Sequence, residues 1–183
     1  MPYPAKTNPK DILEQAVTLL EQGEDMSMRS LAKALNLRAS SLYRHYADRD
    51  ALETAVAAYS ANLLQKNLDA AREGRGAEEA LQTAAHAYLD FARAHPALYD
   101  LLLAPHPLAG AEPGPFKNLW NTFLMIVGAV THHPDDTDSA VALWSFLHGF
   151  LVLERTGLFG SSGPKGGFEV GLAALVKSLK AAS

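Results

Sequence analysis

The stretch Met26-Ser-Met-Arg-Ser-Leu-Ala-Lys-Ala-Leu-Asn-Leu-Arg-Ala-Ser-Ser-Leu-Tyr-Arg-His-Tyr46 decides the fold. It reads as helix, tight turn, helix. Ser27 stands where it can cap a short helix carrying Leu31, Ala32 and Leu35. Asn36 follows, and asparagine is the non-glycine residue that best tolerates a left-handed turn. A second short helix fits Ala39–Tyr46. Leu31, Ala32, Leu35, Leu37 and Leu42 fall where they can pack together, and Ala32 is small where two helices would cross closely. The opposite side would show Arg38, Ala39, Ser40, Ser41, Tyr43, Arg44 and His45. Such a helix suits a major groove. Small residues let the backbone approach base edges, hydroxyls reach bases or phosphates, and arginine bridges a guanine edge.

Charge points the same way. The 183-residue chain carries a net −4, which alone argues mildly against a nucleic-acid partner. The distribution matters more than the sum. Residues 26–47 hold Arg29, Lys33, Arg38 and Arg44 and no acid, whereas residues 53–183 hold nine basic against thirteen acidic residues. A basic island on an acidic body is the pattern to explain.

Outward from this stretch the chain reads as helices almost throughout. Asn8-Pro9-Lys10-Asp11 is a start signal, with Asn8 as cap and Pro9 at the first helical position. Ile12, Leu13, Ala16, Val17, Leu19 and Leu20 recur at helical spacing until Gly23. Asp48 caps a fourth helix running to about Glu73. Further helices are expected over Ala77–His95, Pro96–Leu103, Phe116–His133, from Asp135 to about Thr156, and Glu169–Ala181. Pro105–Pro115 and the glycine-rich Gly160–Gly167 read as loops. There is no alternating strand pattern and no internal repeat. The expected class is all-α. A helix-turn-helix domain over residues 1–50 joins, through a continuous fourth helix, a larger helical domain over residues 51–183.

Composition narrows the chemistry. Hydrophobic residues at 48% and charged residues at 20% suit a soluble folded protein. With no cysteine, a disulfide scaffold, a cysteine nucleophile and a thiolate metal site are excluded. No apolar run approaches the roughly 18–20 residues of a bilayer span. The longest, Leu143–Leu153, is interrupted by His148. MPYPAKTNPK has no apolar core, so no signal peptide is read and the cytoplasm is the expected location. No serine sits in a nucleophile elbow and no acid pair has a convincing spacing, so the enzyme reading finds no support. No cofactor is implied.

On these residues the chain resembles the TetR (tetracycline-repressor-like) family of bacterial transcription regulators. The resemblance rests on Ser27-Met28-Arg29-Ser30-Leu31-Ala32, Leu35-Asn36-Leu37, Leu42-Tyr43-Arg44-His45-Tyr46 and Asp48-Arg49-Asp50-Ala51-Leu52, and covers roughly residues 8–55. It implies that Tyr43 and His45 lie against the DNA backbone, that Ser27 and Ser41 touch phosphate, and that Arg29 reads a base. Arg49 stands where a lysine usually meets phosphate. Two residues depart from the pattern. Asn36 replaces the usual turn glycine. Arg38 replaces a small capping residue, which forfeits about 1 kcal/mol of cap and adds a cation near DNA. Phe91-Ala-Arg-Ala-His-Pro-Ala-Leu-Tyr99 and Trp144-Ser-Phe-Leu-His-Gly149 are similar to paired signatures in one subgroup of the family's C-terminal regions. The resemblance implies a ligand-binding body over about 77–157, and a four-helix dimer interface from about 137–156 and 168–181 of two copies. It further implies a homodimer that represses from a double-stranded operator and is relieved by a small-molecule effector.

For the effector, Tyr88, Phe91, Trp120, Phe123, Trp144 and His148 are the expected lining, with Phe146 also considered. Helical bundles need buried aromatics regardless, so core packing is the competing role. His148 is the polar choice, on the reading that Gly149 beside it permits close approach. His132, His133, Asp135 and Asp136 are close in sequence and of metal-binding type. Pro134 splits them across a helix end, and the acids already suit a helix start, so no metal is expected. Lys165 in Gly160–Gly167 lacks phosphate-loop spacing. A regulator whose C-terminal domain binds a protein partner is the alternative.

Overall fold

The computed structural model describes residues 8–105 and 114–181. The described residues form nine helices and no strand, so the architecture is all-α. In order they are α1 (Pro9–Glu21), α2 (Met28–Ala34), α3 (Ala39–Leu42), α4 (Arg49–Arg72), α5 (Ala77–Ala94), α6 (Pro96–Leu103), α7 (Pro115–Thr131), α8 (Thr137–Arg155) and α9 (Gly167–Ala181). Most of the expected loop Pro105–Pro115 lies outside the described residues, and Pro115 itself opens α7.

Local chemistry sets the boundaries. The Asn8 side chain accepts the Lys10 N–H at 3.0 Å, Ser27 Oγ accepts that of Ser30 at 3.2 Å, and Asp48 Oδ1 accepts that of Ala51 at 2.8 Å. Each satisfies a helix-start donor that would otherwise be orphaned. Three helices end in the same paired motif, with a left-handed residue after the cap. That residue is Gly23 after α1, Asn36 after α2 and Gly157 after α8, with φ of 71°, 52° and 71°.

The chain divides into two compact units. The described part of the first is 8–61 with 95–105, and of the second 62–94 with 114–181. In the first, α1 packs on α2 and α6, and α2 on α3. Ile12, Ala16, Leu31, Leu42, Leu52, Val56, Leu98 and Tyr99 are buried. Full burial of such a Leu or Ile side chain is worth roughly 1.5–3 kcal/mol. Buried Ser60 donates its hydroxyl to the Leu98 carbonyl at 3.0 Å, tying α6 to this unit. His95 Nδ1 pairs with Glu21, and the Tyr46 hydroxyl donates to the Pro9 carbonyl at 3.3 Å.

In the second unit α5, α7, α8 and α9 pack on one another. Leu81, Tyr88, Phe91, Phe123, Val127, Leu147, Leu151, Leu172 and Val176 are buried. Across the helices, Arg93 forks onto both Glu154 oxygens at 2.8 and 2.9 Å, and Lys180 meets Glu78 at 2.6 Å. Such partly exposed pairs contribute about 0–1 kcal/mol each.

The structure corrects several boundaries. The α-helix expected over Ala39–Tyr46 ends at Leu42, because the Leu42 carbonyl accepts from both His45 and Tyr46 and the chain closes into turns. The helix expected to reach His133 ends at Thr131, where His132 turns left-handed at φ 60°. Asp135 and Asp136 precede α8 instead of opening it. Asp136 caps it, accepting the Ser139 N–H at 3.0 Å, which holds its carboxyl below the ordinary value.

Candidate functional site

The first unit presents the basic stretch. Arg29, Arg38, Ser40, Tyr43, Arg44, His45 and Arg49 are exposed, and Ser27, Ala39 and Ser41 are half-buried. Tyr43, a large apolar-bodied side chain, has 52% of its surface open. It points outward because Leu42 beside it is fully buried and fixes the face of α3. Arg38 takes the cap position of α3 in an extended conformation and makes no side-chain cap bond. The Ser41 amide donates to the Arg38 carbonyl at 2.8 Å. The cap is therefore lost and the guanidinium stays free to reach outward.

Partnering separates these cations from the rest. Among the described residues Arg29, Lys33, Arg38 and Arg44 have no acidic partner. Lys10 pairs with Glu14, and Arg49 donates to Glu53 at 2.6 Å. The hydrogen bond that Arg49 donates to Glu53, and the Glu53 charge, raise the Arg49 pKa. Four uncompensated positive charges within sixteen residues form a field that attracts a polyanion.

Sequence reasoning missed Asp25. Ser30 Oγ donates to Asp25 Oδ2 at 3.2 Å and lies 2.9 Å from Ser27 Oγ. Ser27 most of all, then Ser30 and the nearby Arg49 charge, hold the Asp25 carboxyl below its ordinary value and together outweigh desolvation, which works the other way. Only its position two residues before a Ser27-x-x-Ser30 cap hinted at this.

In the second unit four of the six expected effector residues meet. The Trp144 Nε1–H donates to the Tyr88 hydroxyl at 3.0 Å. Trp144 has its ring centroid 6.1 Å from those of both Trp120 and Phe123, and Phe123 lies 5.8 Å from Tyr88, edge to face. Tyr88 and Phe123 are buried, Trp120 is half-buried and Trp144 is 36% exposed. The cluster thus runs from the core to the surface and carries one polar pair, the Trp144 indole on the Tyr88 hydroxyl. Phe91 is buried one turn from Tyr88, and His148 is half-buried one turn from Trp144. An added Cβ at Gly149 meets nothing within 4 Å, so no other part of this chain approaches that glycine closely. Phe146 belongs to a different group, stacked on Phe168 at 5.6 Å. Two open grooves, of about 270 Å³ along α5 and α9 and about 430 Å³ beside α7, are lined by other residues. Among the described residues no three His, Asp or Glu side chains converge as a metal would need. No described helix is long and apolar enough to cross a membrane.

Residues 81–175 match the family model described as Tetracyclin repressor-like, C-terminal domain. The chain is 28% identical over 161 residues to an uncharacterized HTH-type transcriptional regulator of Mycobacterium tuberculosis, covering 85% of this chain and 73% of that one. A structure of a protein with unknown function from Rhodococcus sp. RHA1 superposes with a TM-score of 0.77 at 23% identity, over 98% of this chain and 99% of that one. A TetR variant from Acinetobacter baumannii AYE in complex with minocycline superposes with a TM-score of 0.71 at 16% identity, over 97% and 96%.

Proposed function

We infer, because this chain belongs to the tetracycline repressor-like (TetR) family of helix-turn-helix, DNA-binding transcriptional regulators, that it is a homodimeric repressor released from its operator by a small apolar or aromatic molecule. The observation that carries this is the exposed, uncompensated set Arg29, Lys33, Arg38 and Arg44 around outward-facing Tyr43 and His45. Residues 1–50 bind DNA, and residues 51–183 bind the effector and dimerise. This functional division is a different line from the packing division at 61/62.

In this reading Tyr43, His45, Ser27, Ser41 and Arg49 hold the backbone, while Arg29, Arg38, Ala39, Ser40 and Arg44 face base edges. Two such surfaces about a two-fold axis meet successive major grooves about 34–36 Å apart, so the operator is a near-palindrome. The second copy covers apolar side chains of α8 and α9: Val141, Val152, Leu153 and Val170 are exposed. The effector enters among Tyr88, Phe91, Trp120, Phe123, Trp144 and His148. It favours a conformer whose recognition helices are wrongly spaced, with a coupling of about 1–3 kcal/mol. The protein acts in the cytoplasm, where its operator is, and by its family is not an enzyme.

The test is a gel shift with the gene's own upstream DNA at two salt concentrations. Wild type should shift a specific fragment, and the affinity should fall steeply as salt rises. Tyr43→Ala and Arg44→Ala should abolish the specific shift with unchanged melting. Specific binding intact in both would overturn the assignment.

A further inference from the structure

We propose that Asp25 is a built-in stand-in for a DNA phosphate, holding the Ser27 and Ser30 hydroxyls in the free protein and so acting as a brake on DNA affinity. This rests on the proposed DNA-binding role and adds a residue that role does not contain. The basic stretch begins immediately after Asp25, yet this acid is not turned away from it. Ser30 Oγ donates its single hydrogen to Asp25 Oδ2 at 3.2 Å. The Ser27 Oγ, 2.9 Å from that of Ser30, is then left as the donor of that second bond. Both hydroxyl hydrogens thus point inward along a chain that ends on a carboxylate. Ser27 Oγ also accepts the Ser30 N–H at 3.2 Å, so its position is fixed by the cap.

A phosphate oxygen and a carboxylate oxygen ask for the same donors. For Ser27 to donate to phosphate, the chain from Ser27 through Ser30 to Asp25 must open, and the incoming anion must come beside an existing one. The Asp25 carboxyl is exposed and ionised, favoured by the two serines and the Arg49 charge. Its repulsion acts in high dielectric, so removing it should change affinity by only a few-fold, roughly five-fold. That is small beside a specific complex and large for a weak, purely electrostatic one.

The experiment is fluorescence anisotropy of full-length protein on a labelled random-sequence duplex, at low and high salt. Asp25→Asn and Asp25→Ala should each bind about five-fold tighter at low salt. The gain should shrink at high salt as the field is screened. Glu24→Gln removes the same charge one residue away, on another exposed side chain. Its gain should be clearly smaller. Circular-dichroism melting checks that each variant is folded. Unchanged or weaker binding by the folded Asp25 variants overturns the proposal, as does an equal gain from Glu24→Gln, which would make it net charge alone. Wild type binding no duplex at all would instead overturn the DNA-binding reading, and this proposal with it.

Discussion

The amide of Leu37 donates to the carbonyl of Ala32 at 2.8 Å, and Asn36 between them makes that bond possible by turning left-handed. The Asn36 amide meanwhile reaches the Lys33 carbonyl at 3.2 Å. Two orphan carbonyls at the end of α2 are satisfied by one unusual φ. An ordinary side chain pays roughly 1–2 kcal/mol to sit there, and asparagine less. Asn36→Ala should therefore lower stability by about 1 kcal/mol, and Asn36→Gly should leave it level or raise it. Urea melts of the three proteins check the order. An alanine variant as stable as wild type would mean the turn is not held this way.

Arg38 pulls stability and binding in opposite directions. Its side chain forms no cap bond for α3. Arg38→Ser restores an acceptor at that position and should stabilise the protein by about 1 kcal/mol. The same change removes a cation and should weaken operator binding, with a shallower dependence on salt. Melting and anisotropy on one preparation read both effects. A variant that gains stability without losing affinity would remove Arg38 from the DNA-facing set.

His86 gives the second unit a pH dependence. Its Nδ1 lies 2.8 Å from the Gln82 carbonyl and its Nε2 lies 2.9 Å from Glu169 Oε1. Both partners are acceptors, so the ring satisfies both only when doubly protonated. Desolvation works to lower the pKa, but the Gln82 carbonyl and Glu169 outweigh it, and the net shift is upward from 6.5. A raised folded-state pKa gives stability that is fully present below the unfolded value and is lost as pH rises through the folded one. Urea unfolding of wild type and His86→Gln should show a difference at about pH 5 that closes by about pH 8. A difference that widens with pH would contradict the geometry.

Two helical glycines should respond oppositely to alanine. A Cβ on Gly128 would lie 2.7 Å from the His133 carbonyl oxygen and 3.0 Å from Pro134 Cα, both backbone. Gly128→Ala should cost about 1–3 kcal/mol, since neither atom can swing aside. A Cβ on Gly149 meets nothing within 4 Å, so Gly149→Ala should gain up to about 1 kcal/mol from helix propensity. Thermal melts of the pair test this. Destabilisation of Gly149→Ala in the dimer, with none in dilute monomer, would place that glycine under the partner copy.

What was readable in the sequence was what short-range chemistry decides. The Asn8, Ser27 and Asp48 caps, the turn at Asn36, the lost cap at Arg38 and the outward Tyr43 and His45 all follow from neighbours a few residues away. The end of α3 at Leu42 did not, and the turns beyond it include Tyr46, whose hydroxyl reaches Pro9, 37 residues earlier. Nor did the end of α7 at Thr131, because no glycine or asparagine marks the left-handed turn that His132 nonetheless takes. Aromatic spacing alone could not separate Phe146, which stacks on Phe168, from the Tyr88–Phe123–Trp144 group. Asp25 lay just outside the basic stretch and so escaped notice, although it folds back onto Ser30.

The buried bond from Ser60 to the Leu98 carbonyl means that the first unit is not one continuous piece of chain. A truncated protein ending near residue 61 would shed α6. The surface of α1 that packs on it would be bared, and the Ser60 hydroxyl would lose its acceptor. Such a fragment should aggregate or melt early. An excised DNA-binding half therefore needs residues 95–105 grafted back through a linker, or supplied as a separate peptide that restores its solubility.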